Sequence, residues 1–211
     1  MRADDDSLMN LMEPKEPMTW EQIRHWRKQK REELLVRRAA LCVEARHELA
    51  ERARAQLLQV VDLNAYKVLG FCWAIKGEID VRRIAEQHLA SGGEVAIPVI
   101  VQKAAPVEFW RWRPGMPMQI GIWNIPIPKQ RDVLELDAVL VPLVGFDARG
   151  YRLGYGGGYF DRTLAAAARR PIAIGLGFAD SLLPTIYPQD HDIPMNMIVT
   201  DKSVQRFTPG L

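Results

Sequence analysis

Cysteine is scarce in this 211-residue chain: Cys42 and Cys72 are the only two. They cannot build a disulfide framework, so a reducing compartment, the cytoplasm, is the expected location. Long apolar runs are missing as well. None approaches the ~18–20 residues that a spanning helix needs. The opening MRADDDSLMN is acidic and broken, where a secretory leader has a basic start and an apolar centre. Neither sign of charge dominates. The 28 Lys and Arg are offset by 26 Asp and Glu, a net +2, which argues against a protein whose sole task is to coat nucleic acid. Internal repeats and low-complexity tracts are also lacking. With 48% apolar and 26% charged residues, the composition excludes disorder, collagen and coiled coil as descriptions of the whole chain.

The pattern that is present is that of an α/β domain. Residues 1–20 read as a loosely ordered tail and 21–211 as one domain. Thr19 is a candidate N-cap for a helix over 21–43, and a second helix is expected over 45–60 with Leu49, Ala53, Leu57 and Val60 on one stripe. A strand over 66–73 leads through a Lys76-Gly77 turn to a helix over 80–90 capped by Asp80 and stopped by Ser91-Gly92-Gly93. Strands are expected over 94–101 and 108–112, paired as a hairpin. Residues 113–131 read as loop, and 137–144 as a central parallel strand. A helix over 159–170, a strand over 172–178 and a short strand over 197–200 complete the pattern. Strands alternating with helices predict a largely parallel sheet between helices, a three-layer α/β/α arrangement. Cys42 and Cys72 read as core residues. Trp110 and Trp112 alternate with Arg111 and Arg113, as on a half-exposed strand.

Two residue types are unevenly placed. Seven basic residues fall between Arg24 and Arg38, and five of the 15 glycines are Gly150, Gly154, Gly156, Gly157 and Gly158. The glycines follow an apolar strand and open a helix. Such a loop lets backbone N–H groups converge on an anion, and the helix N-terminus adds partial positive charge, so phosphate is the natural guest. Arg152 supplies a fork for phosphate oxygens, and Asp161 can hold Mg²⁺ through oxygen. The bland alternative is a flexible turn with a capping Asp. A Walker loop is absent, and the dinucleotide fingerprint fails at its sixth position, where Tyr159 stands.

The string Arg152-Leu153-Gly154-Tyr155-Gly156-Gly157-Gly158-Tyr159-Phe160-Asp161-Arg162, preceded by Pro142 to Asp147, resembles the signature of the 5-formyltetrahydrofolate cyclo-ligase (methenyltetrahydrofolate synthetase) family. The basic helix with Arg27, Lys28, Arg31 and Arg38 fits in order. So do Trp73 to Glu78, Trp123-Asn124-Ile125-Pro126, and the closing Gly177-Phe178, Pro188, His191-Asp192 and Val199 to Asp201. Departures from the common pattern are Gly157 where many relatives have Lys, Phe160 for Tyr, and Ile125 for Glu.

The resemblance implies a Rossmann-like cyclo-ligase fold and an ATP-dependent closure of 5-formyltetrahydrofolate to 5,10-methenyltetrahydrofolate with release of ADP and phosphate. It further implies that Arg27, Lys28 and Arg31 contact ATP phosphates, and that Arg152, Leu153, Gly154, Tyr155, Gly156, Gly157, Gly158, Tyr159 and Phe160 wrap the nucleotide. Arg152 and Tyr159 are then the catalytic candidates. Trp73, Glu78 and Trp123, with residues 155–159, border the folate. Asp161 and Asp192 match the Mg²⁺-associated acids. A monomer acting on small molecules, away from nucleic acid and membrane, is expected. The alternatives are a folate- or nucleotide-binding module without turnover, and an RNA-binding protein using the basic helix and the Trp-Arg strand.

Overall fold

Thr19 starts the first helix as its residue type predicts. Its Oγ1 accepts from Gln22 N at 3.3 Å while Gln22 Oε1 accepts from Thr19 N at 2.7 Å, a reciprocal capping box. In this computed structural model, residues 18–207 are described, so the expected tail lies almost wholly outside them. Helix α1 runs over Trp20–Ala40 and α2 over Val43–Val60. Between them Cys42 is the cap of α2, its Sγ accepting from Ala45 N at 3.4 Å, and it is exposed. The expected core position for Cys42 is therefore wrong. The first helix ends before reaching it, and the residue is spent on a turn.

In chain order the remaining elements are β1 (Val68–Gly70), α3 (Arg82–Ala90), β2 (Glu94–Val99), β3 (Glu108–Arg111), β4 (Met118–Ile120), β5 (Pro126–Pro128), β6 (Ala138–Pro142), β7 (Gly145–Asp147), β8 (Arg152–Leu153), α4 (Tyr159–Ala166), β9 (Ile172–Leu176), β10 (Leu182–Leu183), β11 (Met197–Val199) and β12 (Val204–Arg206). Seven strands form the main sheet in the order β12-β11-β9-β6-β1-β2-β3. Its five inner strands are parallel, and only the two edges, β12 and β3, run antiparallel.

Strand alternation assigns the layers. Ala138 and Leu140 of β6 pack with Ala53 and Leu57 of α2 and Ile84 and Ala85 of α3 on one face. Val139 and Val141 pack with Leu164 of α4 on the other. The three-layer α/β/α arrangement is thus observed. Helix α1 stands apart from that core: its Leu34 joins Val144, Leu153, Leu183 and Ile186 over a small sheet of β10, β7 and β8.

Several expectations need correction. The strand expected over 66–73 is only β1. Beyond Gly70 the chain leaves its partners to form the turn that carries Glu78. The 113–131 segment is not all loop: β4 and β5 form a separate hairpin, in which prolines are tolerated because neither strand lies inside a larger sheet. Trp110 and Trp112 are buried rather than half-exposed. The Trp110 indole donates to Glu108 Oε2 at 2.8 Å, and Trp112 packs edge-on to Phe71 and Trp73. These two rings thus form no open stacking ladder for bases, and the RNA reading loses its platform. Among the described residues no helix is long and apolar enough to cross a membrane.

Candidate active site

Loops at the carboxyl ends of parallel strands are where α/β sheets place their ligands. Here the segments after β1 and β6, the glycine loop, the β4–β5 hairpin and α1 surround one cleft of about 1710 Å³. A single small molecule usually occupies about 300–1,000 Å³, so the cleft has room for two. Every residue singled out from the sequence lines it: Arg27, Lys28 and Arg31; Trp73 and Glu78; Trp123; the whole run from Arg152 to Asp161; and Asp192.

The glycine loop is set up by a buried carboxylate. Asp147, fully buried at the end of β7, accepts from Arg149 N and Tyr151 N through Oδ1 and from Ile186 N through Oδ2. Those three donors offset its desolvation and fix the turn that returns the chain into β8. Gly156 then takes φ +91° and Gly158 takes φ +62°, conformations that side chains disfavour. Gly158 is also the N-cap of α4 and offers no side-chain oxygen to the first-turn N–H groups. Those donors stay open to a ligand on the cleft side.

Helix α1 clasps this loop across the chain. Arg31 Nε donates to Gly154 O at 2.6 Å. Arg27 donates to Ile186 O and Tyr187 O, each at 2.9 Å, and pairs with Asp192 through both Nη groups, at 2.5 and 3.3 Å. Burial, together with the neighbouring Arg27, holds the Arg31 guanidinium below its ordinary pKa, a positive crowding that an anion would relieve. Lys28 is exposed on the same helix and has no hydrogen bond or ion pair among the described residues.

Arg152 differs from the expected open fork. Its side chain is only 5% exposed, Nη2 pairs with Asp161 Oδ1 at 2.9 Å, and Nη1 donates to Ile193 O at 2.8 Å. Burial lowers its pKa and the Asp161 charge pushes back. Phe160 lies under this guanidinium, with 5.9 Å from Cζ to the ring centroid.

At the folded end of the β1 segment, Glu78 is 9% exposed. Its Oε2 accepts from Ile75 N at 2.9 Å and its Oε1 from the Tyr155 hydroxyl at 2.8 Å. Burial pushes the carboxyl above its ordinary pKa, with those two hydrogen bonds opposing. The same burial and the Glu78 charge push the Tyr155 phenol up. Trp73 Nε1 donates to Pro126 O at 2.8 Å, tying the β1 segment to the β4–β5 hairpin. Trp123 is 66% exposed at the mouth of the cleft, with φ +57°, and meets the Tyr159 ring edge-on at 5.8 Å.

For a magnesium ion the donor set is small. Among the described residues no three His, Cys, Asp or Glu converge to hold a metal by themselves. Asp161 Oδ1 is engaged by Arg152 and by Ile193 N, whereas its Oδ2 carries no hydrogen bond from the described residues. Both Asp192 oxygens are taken, by Arg27 and by Gln189 N. One open carboxylate oxygen beside a phosphate loop fits Mg²⁺, which usually binds one or two carboxylates plus substrate phosphates and waters.

Residues 23–201, from within α1 to just beyond β11, match the 5-formyltetrahydrofolate cyclo-ligase family. The chain belongs to that family. Among curated cyclo-ligases, that of Escherichia coli K12 is 30% identical over 175 residues, covering 80% of this chain and 96% of its own. That of Haemophilus influenzae is 29% identical over 177 residues, covering 80% and 94%. A solved 5,10-methenyltetrahydrofolate synthetase from Aquifex aeolicus superposes with a TM-score of 0.75 at 26% identity, over 88% of this chain and 94% of its own. The Mycoplasma pneumoniae synthetase, at 23% identity and TM-score 0.68, shares the fold.

Some cleft residues carry no sequence expectation. Lys76 stands at φ +48° with Nζ 5.3 Å from the Tyr155 ring centroid, and Arg162 has Cζ 5.1 Å from that of Tyr159. Both lie within stretches that match the cyclo-ligase pattern, and that was the available signal.

Proposed function

We propose that this chain is an ATP-dependent cyclo-ligase that converts 5-formyltetrahydrofolate to 5,10-methenyltetrahydrofolate, releasing ADP and phosphate. It acts as a cytoplasmic monomer on small molecules and not on nucleic acid or membrane. The observation that carries the reading is the convergence, in one cleft with room for two ligands, of a phosphate-type glycine loop and the buried Glu78 carboxylate.

The γ-phosphoryl of ATP passes to the formyl oxygen. N10 then attacks the activated formyl carbon, its proton goes to solvent, and the carbon–oxygen bond breaks as phosphate leaves. Such chemistry needs positioning and charge neutralisation rather than a side-chain nucleophile. Arg27, Lys28 and Arg31 hold the phosphates from α1. Leu153, Gly154, Gly156, Gly157, Gly158 and Phe160 wrap the nucleotide through backbone and ring surface. Arg152 and Tyr159 serve the transferred group, Arg152 with its orientation fixed by Asp161 and Ile193 O. Mg²⁺ neutralises phosphate charge when bound. Asp161, with its open Oδ2, and Asp192 are the residues that would hold it. Glu78 accepts from the pterin amino and ring N–H groups, with Tyr155, Trp73 and Trp123 as walls.

The test is direct. Purified protein is mixed with MgATP and 5-formyltetrahydrofolate, and the near-UV absorbance of the methenyl product is followed. Absence of product at high enzyme concentration overturns the proposal, and binding of both ligands without turnover would leave a binding module instead.

A further inference from the structure

Eight Lys and Arg residues line the cleft. Two of them, Arg27 and Arg152, are neutralised by carboxylates. Arg162 is not: it has no ion pair among the described residues, although it is the fourth residue of α4, beside the loop. Its Nη2 donates to Gly157 O at 2.5 Å, and its Nη1 is so near the backbone that a Cβ on Gly158 would lie 2.9 Å from it. Its Nε is buried and has no hydrogen-bond partner among the described residues. The guanidinium lies over the Tyr159 ring, with Cζ 5.1 Å from its centroid, a cation–π contact.

Arg31 is placed in the same way at the start of the loop. It holds Gly154 O, and its Nη2 lies 3.2 Å from where a Cβ on Gly156 would stand. Each guanidinium thus spends one donor on a loop carbonyl and keeps others open. A cleft-lining guanidinium with terminal N–H groups to spare and no counter-charge suits a ligand that brings acceptor oxygens. Resting on the nucleotide reading above, we infer that Arg162 is a further phosphate-oxygen ligand of the bound nucleoside triphosphate, gripping the second half of the glycine loop as Arg31 grips the first. Gly158 is then small because the Arg162 side chain lies against it, and Gly157 because the Tyr159 ring does.

The experiment is calorimetric binding of a non-hydrolysable ATP analogue with Mg²⁺, and separately of 5-formyltetrahydrofolate, to wild type, Arg162→Gln and Arg162→Lys. Arg162→Gln should weaken the analogue about tenfold, the loss of one charge-assisted contact. Its folate affinity should stay within about twofold, and Arg162→Lys should recover most of the nucleotide loss. Wild-type analogue affinity in Arg162→Gln overturns the inference. So does an equal loss for both ligands, or a Lys variant no better than Gln, since either marks a purely structural clip. If the wild type binds no analogue, the nucleotide reading itself falls, and the inference with it.

Discussion

The Tyr155 hydroxyl donates to Oε1 of Glu78 at 2.8 Å, joining residues 77 positions apart. One belongs to the glycine loop and the other to the turn after β1, so the proposed nucleotide and folate regions share a hydrogen bond.

Glu78→Gln should separate stability from function. The amide keeps both contacts: its oxygen accepts from Ile75 N and its nitrogen donates to the Tyr155 hydroxyl oxygen. What it removes is a buried charge. Because the folded carboxyl titrates above its ordinary value, the folded state holds its proton longer than the unfolded one, and wild-type stability falls as pH rises through that window. The variant should melt higher at neutral pH. The gain should vanish below the ordinary Glu pKa of about 4.3. Folate KM should rise with ATP KM little changed. Thermal melts across pH and two-substrate kinetics check both halves.

Arg152→Ala should be a folding variant as well as an activity variant. Truncation leaves Asp161 without its partner and Ile193 O without a donor, and breaking a buried pair costs about 3–5 kcal/mol. Denaturant unfolding measures this. Kinetics on that variant alone therefore cannot assign Arg152 a role, and Arg152→Lys, which keeps the charge, is the better probe of ATP use.

Gly156→Ala should strain the loop. At φ +91° a side chain is disfavoured by about 1–2 kcal/mol, and the new methyl would crowd Arg31. A small loss in melting temperature with a larger rise in ATP KM is expected. An unchanged ATP KM would show that the loop tolerates displacement of Arg31.

Thiol titration should give two classes. Cys42 is an exposed helix cap and should react rapidly at pH 8. Cys72, half-buried in the cleft wall, has its thiol pKa pushed far up by desolvation and by Glu78, so it should react much more slowly than Cys42. Two fast equivalents would contradict the packing around the β1 segment.

The sheet core was legible in the sequence because parallel strands are buried on both faces and read as apolar runs. Ala138 to Val141 and Ile172 to Leu176 announced themselves this way. Strands such as β10 and β12 were not, since two or three residues are too few for a period. Trp110 and Trp112 misled because alternation with Arg marks two faces without saying that both Trp rings would be covered. The site residues were found through one motif. Their pairings were not, because Arg27 with Asp192 and Arg152 with Asp161 depend on side-chain positions that spacing does not encode.

The clasp of α1 on the rest of the cleft has a consequence for how the protein comes into being. Arg27 leaves the ribosome well before its carboxylate partner, which follows 165 positions later. Pairings so distant in sequence form late and slowly. Until Asp192 emerges, a nascent chain carries a basic helix without its counter-charge, so nucleotide capture should begin only after Asp192 has been made.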